Sequence, residues 1–238
     1  MSKTILITGA SSDMALDLIN NIHKDYDKII AHYNSSADQL EDLKSKIGNK
    51  LFLLKANFND ILSTEKFIDE VLKTGLPEHI VHFPAAKLKP ERFDKSDWNE
   101  LSEDIMIQVH SIYKICQRFI KEMSRKENSK IVFVLTSAIF DTPKFNTNYL
   151  IAKYSLLGLM KSLSAEYEGK VQINAISPVL TETKFLEELP SFVLEQSARK
   201  SSLKRNLVPS DISPVIIDIL AKDNYINGQN ILIDGNNI

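Results

Sequence analysis

A chain of 238 residues that is 43% hydrophobic and 25% charged suits one sizeable globular domain, and a formal net charge of −2 argues against nucleic acid or an acidic membrane surface as the main partner. The single cysteine, Cys116, excludes an internal disulfide, and no uninterrupted apolar run is long enough to span a bilayer. The first apolar run, Ile5-Leu6-Ile7, breaks at Gly9, too early for a secretory leader, so the expected location is cytoplasmic.

In chain order, Ile5-Leu6-Ile7 reads as a strand, Thr8-Gly9 as a tight turn and Met14 to Ile19 as a helix. A second strand is expected over Lys28 to Tyr33, a helix over Ala37 to Ile47, a third strand over Leu51 to Leu54 and a helix over Ile61 to Leu72. His79 to Phe83 predicts a fourth strand, about Trp98 to Ser124 a long helix and Lys130 to Leu135 a nearly all-apolar fifth strand. Ile151 to Tyr167 has apolar residues at helical intervals, with Tyr149 at its start. Val171 to Ile176 and Ile231 to Ile233 complete the strands. Apolar strands alternating with helices predict an α/β fold, a doubly wound parallel sheet in three layers within a single domain. The polar stretch of about 179–209 is too long for a plain connection and is expected to be a substrate lid.

Ligands of doubly wound sheets sit at the carboxyl ends of the strands, where chain order reverses. Gly9 to Ser12, Phe83 to Ala85, Thr136-Ser137 and Ser177-Pro178 should therefore converge. Tyr149 and Lys153 are four apart at the start of one helix and so share a face. An ammonium beside a phenol favours the phenolate, which would bring a proton donor and acceptor towards working pH. His79 and His82 have the spacing of a ligand pair, but residues three apart on a strand face opposite ways, and no metal is expected. Cys116 falls in the apolar pattern Ile112, Ile115, Cys116, Phe119, Ile120 and reads as a buried structural thiol.

Five features in order, Thr8-Gly9-Ala10-Ser11-Ser12, Ser137, Tyr149-x-x-x-Lys153, Asn174-Ala175-Ile176-Ser177-Pro178 and Gly228 to Gly235, resemble the short-chain dehydrogenase/reductase family over essentially the whole chain. Within it the chain looks closest to compact ketoreductases such as the 3-oxoacyl carrier-protein reductases. The resemblance implies a Rossmann-type dinucleotide site and an NAD(P)-dependent oxidoreductase that interconverts a ketone and a secondary alcohol. It implies that Ser137 bonds the substrate oxygen, with Thr136 its rival, that Tyr149 is the acid/base, and that Lys153 binds the nicotinamide ribose. By register, Gln108 takes the place of the asparagine that supports a proton-relay water. Cofactor contacts are implied for Gly9, Ser11, Ser12, Asp13 and Met14, for Tyr33, Asn34, Ser35 and Ser36, and for Asn57 and Phe58. Pro84, Ala85, Tyr149, Lys153, Pro178, Val179 and Thr183 complete the implied set.

Several positions depart from the family pattern. Asp13 and Ala15 stand where glycines are usual, and a carboxylate at Asp13 would oppose a pyrophosphate unless, as expected, it caps the helix and turns away. His82-Phe83-Pro84-Ala85, in place of the family's Asn-Asn-Ala-Gly, loses two side-chain amides, and Val179 stands where a glycine is usual. The second strand ends in His32-Tyr33-Asn34-Ser35-Ser36 without an acid, which favours NADP(H) over NAD(H). Lys184, Arg199, Lys200, Lys204 and Arg205 give the lid region a positive bias. The expected partners are a small carbonyl or alcohol substrate and further copies of this chain, as a homotetramer or dimer built on the two long helices. Ile112, Ile115 and Phe119 are candidates for that interface or for the core. A catalytically weakened nucleotide-binding or scaffold protein is the rival reading.

Overall fold

The computed structural model describes residues 3–85, 88–184, 191–222 and 224–236. Its sheet contains β1 (Thr4–Thr8), β2 (Lys28–Tyr33), β3 (Leu51–Lys55), β4 (His79–His82), β5 (Ser129–Val134), β6 (Val171–Pro178) and β7 (Asn230–Ile233). All seven are parallel and lie in the order β3-β2-β1-β4-β5-β6-β7. The helices are α1 (Asp13–Ile22), α2 (Asp38–Ile47), α3 (Ile61–Thr74), α4 (Trp98–Asp104) and α5 (Ser111–Met123), followed by α6 (Ala138–Asp141), α7 (Thr147–Glu166), α8 (Ser191–Lys200) and α9 (Pro209–Leu220).

The period of two along each strand divides the core into two layers. Leu6, Ile30, Ile80, Ile131, Phe133 and Ile173 face one way and meet Phe67, Phe119, Leu156 and Met160 from α3, α5 and α7. Ile5, Ile7, Ile29, Val81, Val132 and Ile176 face the other way and meet Leu18, Leu40 and Ile216 from α1, α2 and α9. Burial on both faces is why these strands read as continuous apolar runs. Ile112, Ile115 and Phe119 are fully buried and belong to this core, not to an exposed interface. Cys116 is buried beside them, and burial pushes its thiol up to about 12.

The long helix expected over Trp98 to Ser124 is interrupted by a π-helical segment, Ile105–His110, between α4 and α5. Wider turns of this kind re-aim the side chains around them and are frequent at functional sites. The stretch expected to be irregular contains α8; the candidate lid residues Phe185, Leu186 and Leu189 lie outside the described residues. Among the described residues no helix is long and apolar enough to cross a membrane.

Strand order reverses between β1 and its neighbours β2 and β4, so the carboxyl ends of β1 and β4 open a crevice. Gly9 leaves β1 with φ +68°, and a Cβ there would stand 2.9 Å from the Pro84 nitrogen. Glycine is needed both for the left-handed turn and for the close approach of the β4 exit.

Candidate active site

A cleft of about 1360 Å³ opens over this crevice. Small-molecule pockets commonly run to roughly 300–1,000 Å³, so this one has room for a dinucleotide and a substrate together. The first turn contributes Gly9, Ser11, Ser12, Asp13 and Met14 to its lining, and β2 contributes His32 and Asn34. Asn57 and Phe58 follow β3, while Pro84 and Ala85 follow β4. Thr136, Ser137, Tyr149, Lys153, Pro178, Val179 and Thr183 form the opposite end. Tyr33 instead packs against the α1 side of the core, and Ser35 and Ser36 lie outside the lining, as does Gln108.

At the end of the cleft formed by the first turn, Ser12 is the N-cap of α1, accepting the Ala15 N–H at 3.3 Å. Asp13 does not cap, contrary to expectation, because it already occupies the first helical position. Its carboxylate accepts the backbone N–H of Lys184 at 2.8 Å. His32 holds the turn from beneath: Nδ1 accepts the Gly9 N–H at 3.0 Å, and Nε2 faces the Ala56 carbonyl at 3.1 Å. A carbonyl only accepts, so the proton sits on Nε2 and the ring is neutral. Burial pulls its pKa down to about 4, and the ring stacks on Phe58 at 3.8 Å between centroids. His32 was not foreseen as a site residue; its only signal was a polar side chain at the end of an apolar strand.

Nothing in the donor set opposes a dinucleotide. The glycine turn has no room for a side chain, the carboxylate at Asp13 is occupied by an amide, and the remaining lining in this half carries no negative charge.

At the other end α7 carries Tyr149 and Lys153 into the cleft. Lys153 is 2% exposed, donates to the Val134 carbonyl at 3.1 Å and stands 5.6 Å from the Tyr149 ring centroid. Burial lowers its pKa to about 8, and the Asp104 carboxylate works against that fall. The expected depression of the tyrosine does not occur. Burial pushes Tyr149 up to about 12; a bond from the Thr136 hydroxyl pulls it down, and the Asp104 charge raises it further. The ammonium lies over the ring and satisfies a backbone carbonyl, so the phenol gains little from its charge.

Asp104 is a second residue whose place in the site its sequence context does not signal. It is 8% exposed at the end of α4, and its pKa rises to about 6. Burial is the main cause, assisted by Glu103 and opposed by Lys153 and the Gln108 amide. The π-helical turn was invisible in the sequence, and without it the register of this carboxyl could not be fixed. Gln108 is fully buried; its amide approaches Asp104, yet neither amide atom closes a hydrogen bond of good geometry among the described residues. Its backbone carbonyl accepts from His82 Nε2 at 2.8 Å. His82 Nδ1 meets the Thr8 hydroxyl at 2.7 Å, whereas His79 bonds Tyr26 and the Asn128 carbonyl. The two histidines are thus separate crosslinks, each neutral.

A family model described as enoyl-(acyl carrier protein) reductase matches residues 9–235. The chain is 22% identical over 235 residues to the 3-oxoacyl-[acyl-carrier-protein] reductase FabG of Buchnera aphidicola subsp. Acyrthosiphon pisum, covering 98% of this chain and 96% of that protein. It is 25% identical over 246 residues to the L-rhamnose 1-dehydrogenase (NADP(+)) of Thermoplasma acidophilum, at 98% and 95% coverage. Among solved structures, a short-chain dehydrogenase/reductase from Brucella melitensis superposes with a TM-score of 0.88 at 21% identity, covering 99% of this chain and 96% of that one. A short-chain dehydrogenase from Burkholderia cenocepacia in complex with NADP gives 0.85 at 17% identity, covering 98% and 96%. With the match running from the glycine turn to Gly235, the chain belongs to the short-chain dehydrogenase/reductase family of NAD(P)-dependent oxidoreductases acting on CH–OH and C=O groups.

Proposed function

We propose that this protein is an NADP(H)-dependent carbonyl reductase in which Tyr149 protonates the substrate oxygen, with 3-oxoacyl thioesters as the leading substrate class. The observation that carries the reading is the shared cleft of Tyr149, Lys153, Thr136 and Ser137 beyond the glycine turn. The bound nicotinamide supplies the hydride. Tyr149, protonated at neutral pH, delivers the proton to the carbonyl oxygen, so a ketone gains one hydride and one proton and becomes a secondary alcohol. Ser137 orients that oxygen. Thr136 bonds the phenol and holds its ring, and Lys153 supplies positive charge beside the oxygen that acquires negative character.

Gly9, Ser11, Ser12 and Met14 hold the pyrophosphate region, with Asp13 turned to Lys184. Asn34 and His32 bound the adenosine ribose, Asn57 and Phe58 the adenine, and Pro84, Ala85, Pro178, Val179 and Thr183 the nicotinamide half. The absence of an acid from Tyr33 to Ser36 supports NADP(H), as do the FabG-like relatives. The stretch 179–209 acts as a lid, since Val193, Gln196 and Lys200 of α8 line the same cleft. A homo-oligomer forms through the exposed faces of α5 and α7, where Tyr113, Ile151 and Tyr154 are 40–49% exposed. Cytoplasmic operation fits a single buried thiol.

The test is consumption of NADPH by the purified protein across a panel of ketones that includes a 3-oxoacyl thioester. Turnover of at least one member is expected. Binding of NADPH without turnover of any member would overturn the reading in favour of a nucleotide-binding scaffold.

A further inference from the structure

Residue 184 is fastened twice. Its backbone N–H donates to Asp13 Oδ2 at 2.8 Å, joining positions 171 apart, and its ammonium donates to Gln39 Oε1 at 3.2 Å. Asp13 opens α1, and Gln39 lies in the first turn of α2. Asp13 and Met14 of α1 line the half of the cleft where the adenosine of a dinucleotide would rest, and Lys184 ties this edge to the start of α2. Asp13, Asn34 and Lys184 all line that cleft.

Charge makes this bridge selective. The segment Tyr33-Asn34-Ser35-Ser36 that ends β2 contains no cation. The hydrogen-bond partner of the Lys184 ammonium among the described residues is a neutral amide, so its charge stays available to an anion. Acids along these elements include Asp13, Asp38, Glu41, Asp42 and Glu182; Asp13 is engaged by the residue-184 amide and Glu182 by the Asn206 amide. An ammonium is a compact cation suited to phosphate, and a phosphate in place of the Gln39 amide would gain a charge-assisted bond.

We propose that Lys184 recognises the phosphate on the adenosine ribose of the cofactor, and that Asp13 and Gln39 are positioning residues that hold it over that ribose. The inference rests on the NADP(H) reading above and adds the group that discriminates between the two dinucleotides. It also gives Asp13 a purpose at a helix start where a free carboxylate would compete with a pyrophosphate: its carboxylate accepts the residue-184 amide and sets the backbone from which the cation projects.

The experiment is equilibrium binding of NADPH, NADH, adenosine 2′,5′-bisphosphate and adenosine 5′-monophosphate to the parent, Lys184→Ala, Lys184→Gln and Lys184→Arg. The alanine and glutamine variants should weaken NADPH and the bisphosphate by roughly ten- to a hundredfold, the scale of one hydrogen bond to a charged group. NADH and the monophosphate should change less than about twofold, and Lys184→Arg should keep the preference, because it retains the charge. A parent that prefers NADPH while Lys184→Ala keeps that preference would overturn the role of Lys184 alone. Equal weakening of both dinucleotides would also overturn it, since the residue would then hold the strap and not the phosphate. A parent that binds neither dinucleotide would overturn the cofactor reading itself, and this inference with it.

Discussion

Lys153 stands over the ring of Tyr149, 5.6 Å from its centroid, and donates to the Val134 carbonyl at 3.1 Å. Burial pushes the phenol up to about 12 and brings the ammonium down to about 8. A protonated phenol is the form that reduction needs, and a phenolate is the form that oxidation needs.

The rate of ketone reduction should therefore hold through neutral pH and fall as pH rises through about 8, where Lys153 becomes neutral. Asp104 raises the pKa of Lys153, so Asp104→Asn should move that fall to lower pH. In the parent the Asp104 charge raises Tyr149, so its removal lowers the phenol's pKa, and oxidation by the variant should begin to climb at lower pH than in the parent. The check is kcat against pH in both directions for the two proteins. Superimposable profiles would show that Asp104 does not couple to the pair.

Three buried histidines make stability depend on acid. His32 and His79 are pulled down to about 4 and His82 to about 3, each mainly by burial. The unfolded chain binds protons at these side chains from about pH 6.5 downwards, whereas the folded chain does not until lower pH. Stability should be full above about pH 6.5 and fall as pH drops through the window to about 4, at up to about 1.4 kcal/mol per pH unit for each histidine. Asp104, raised to about 6, acts in the opposite sense and offsets part of one histidine. Urea unfolding at pH 7 and pH 5 should show the lower midpoint at pH 5. Replacing His79 by glutamine should shrink the difference between the two.

Gly9→Ala should destabilise the fold by roughly 1–3 kcal/mol, through a positive φ in a residue that carries a Cβ. The added carbon would also press on Pro84, 2.9 Å from its nitrogen, and move the β4 exit into the cleft. Thermal unfolding and NADPH affinity should therefore fall together. A variant with unchanged affinity would show that the turn does not shape the site.

Much of the fold was legible because buried parallel strands leave continuous apolar runs, and Ile5 to Ile7, Ile29 to Ala31 and Ile131 to Leu135 are such runs. The convergence of Gly9, Ser137 and Tyr149 followed from strand order alone. What stayed hidden depends on three-dimensional register. The π-helical turn that places Asp104 near Lys153 leaves no apolar signature, and the Asp13 bond to Lys184 joins residues 171 apart. The tyrosine pKa was misjudged because spacing brought the cation onto the right helix face but could not say that it would lie over the ring. The bond from His82 Nε2 to the Gln108 carbonyl likewise joins two elements and leaves no mark in the spacing of either.

The central claim is that Tyr149 is the proton donor, and Tyr149→Phe tests it most directly, because the substitution removes one hydroxyl and keeps the ring beneath Lys153. NADPH-dependent reduction of the best ketone should fall by roughly 10²- to 10⁴-fold, the usual contribution of a general acid. NADPH binding should stay within about twofold of the parent, an affinity difference of about 0.4 kcal/mol or less. A phenylalanine variant that reduces the ketone as fast as the parent would contradict the account.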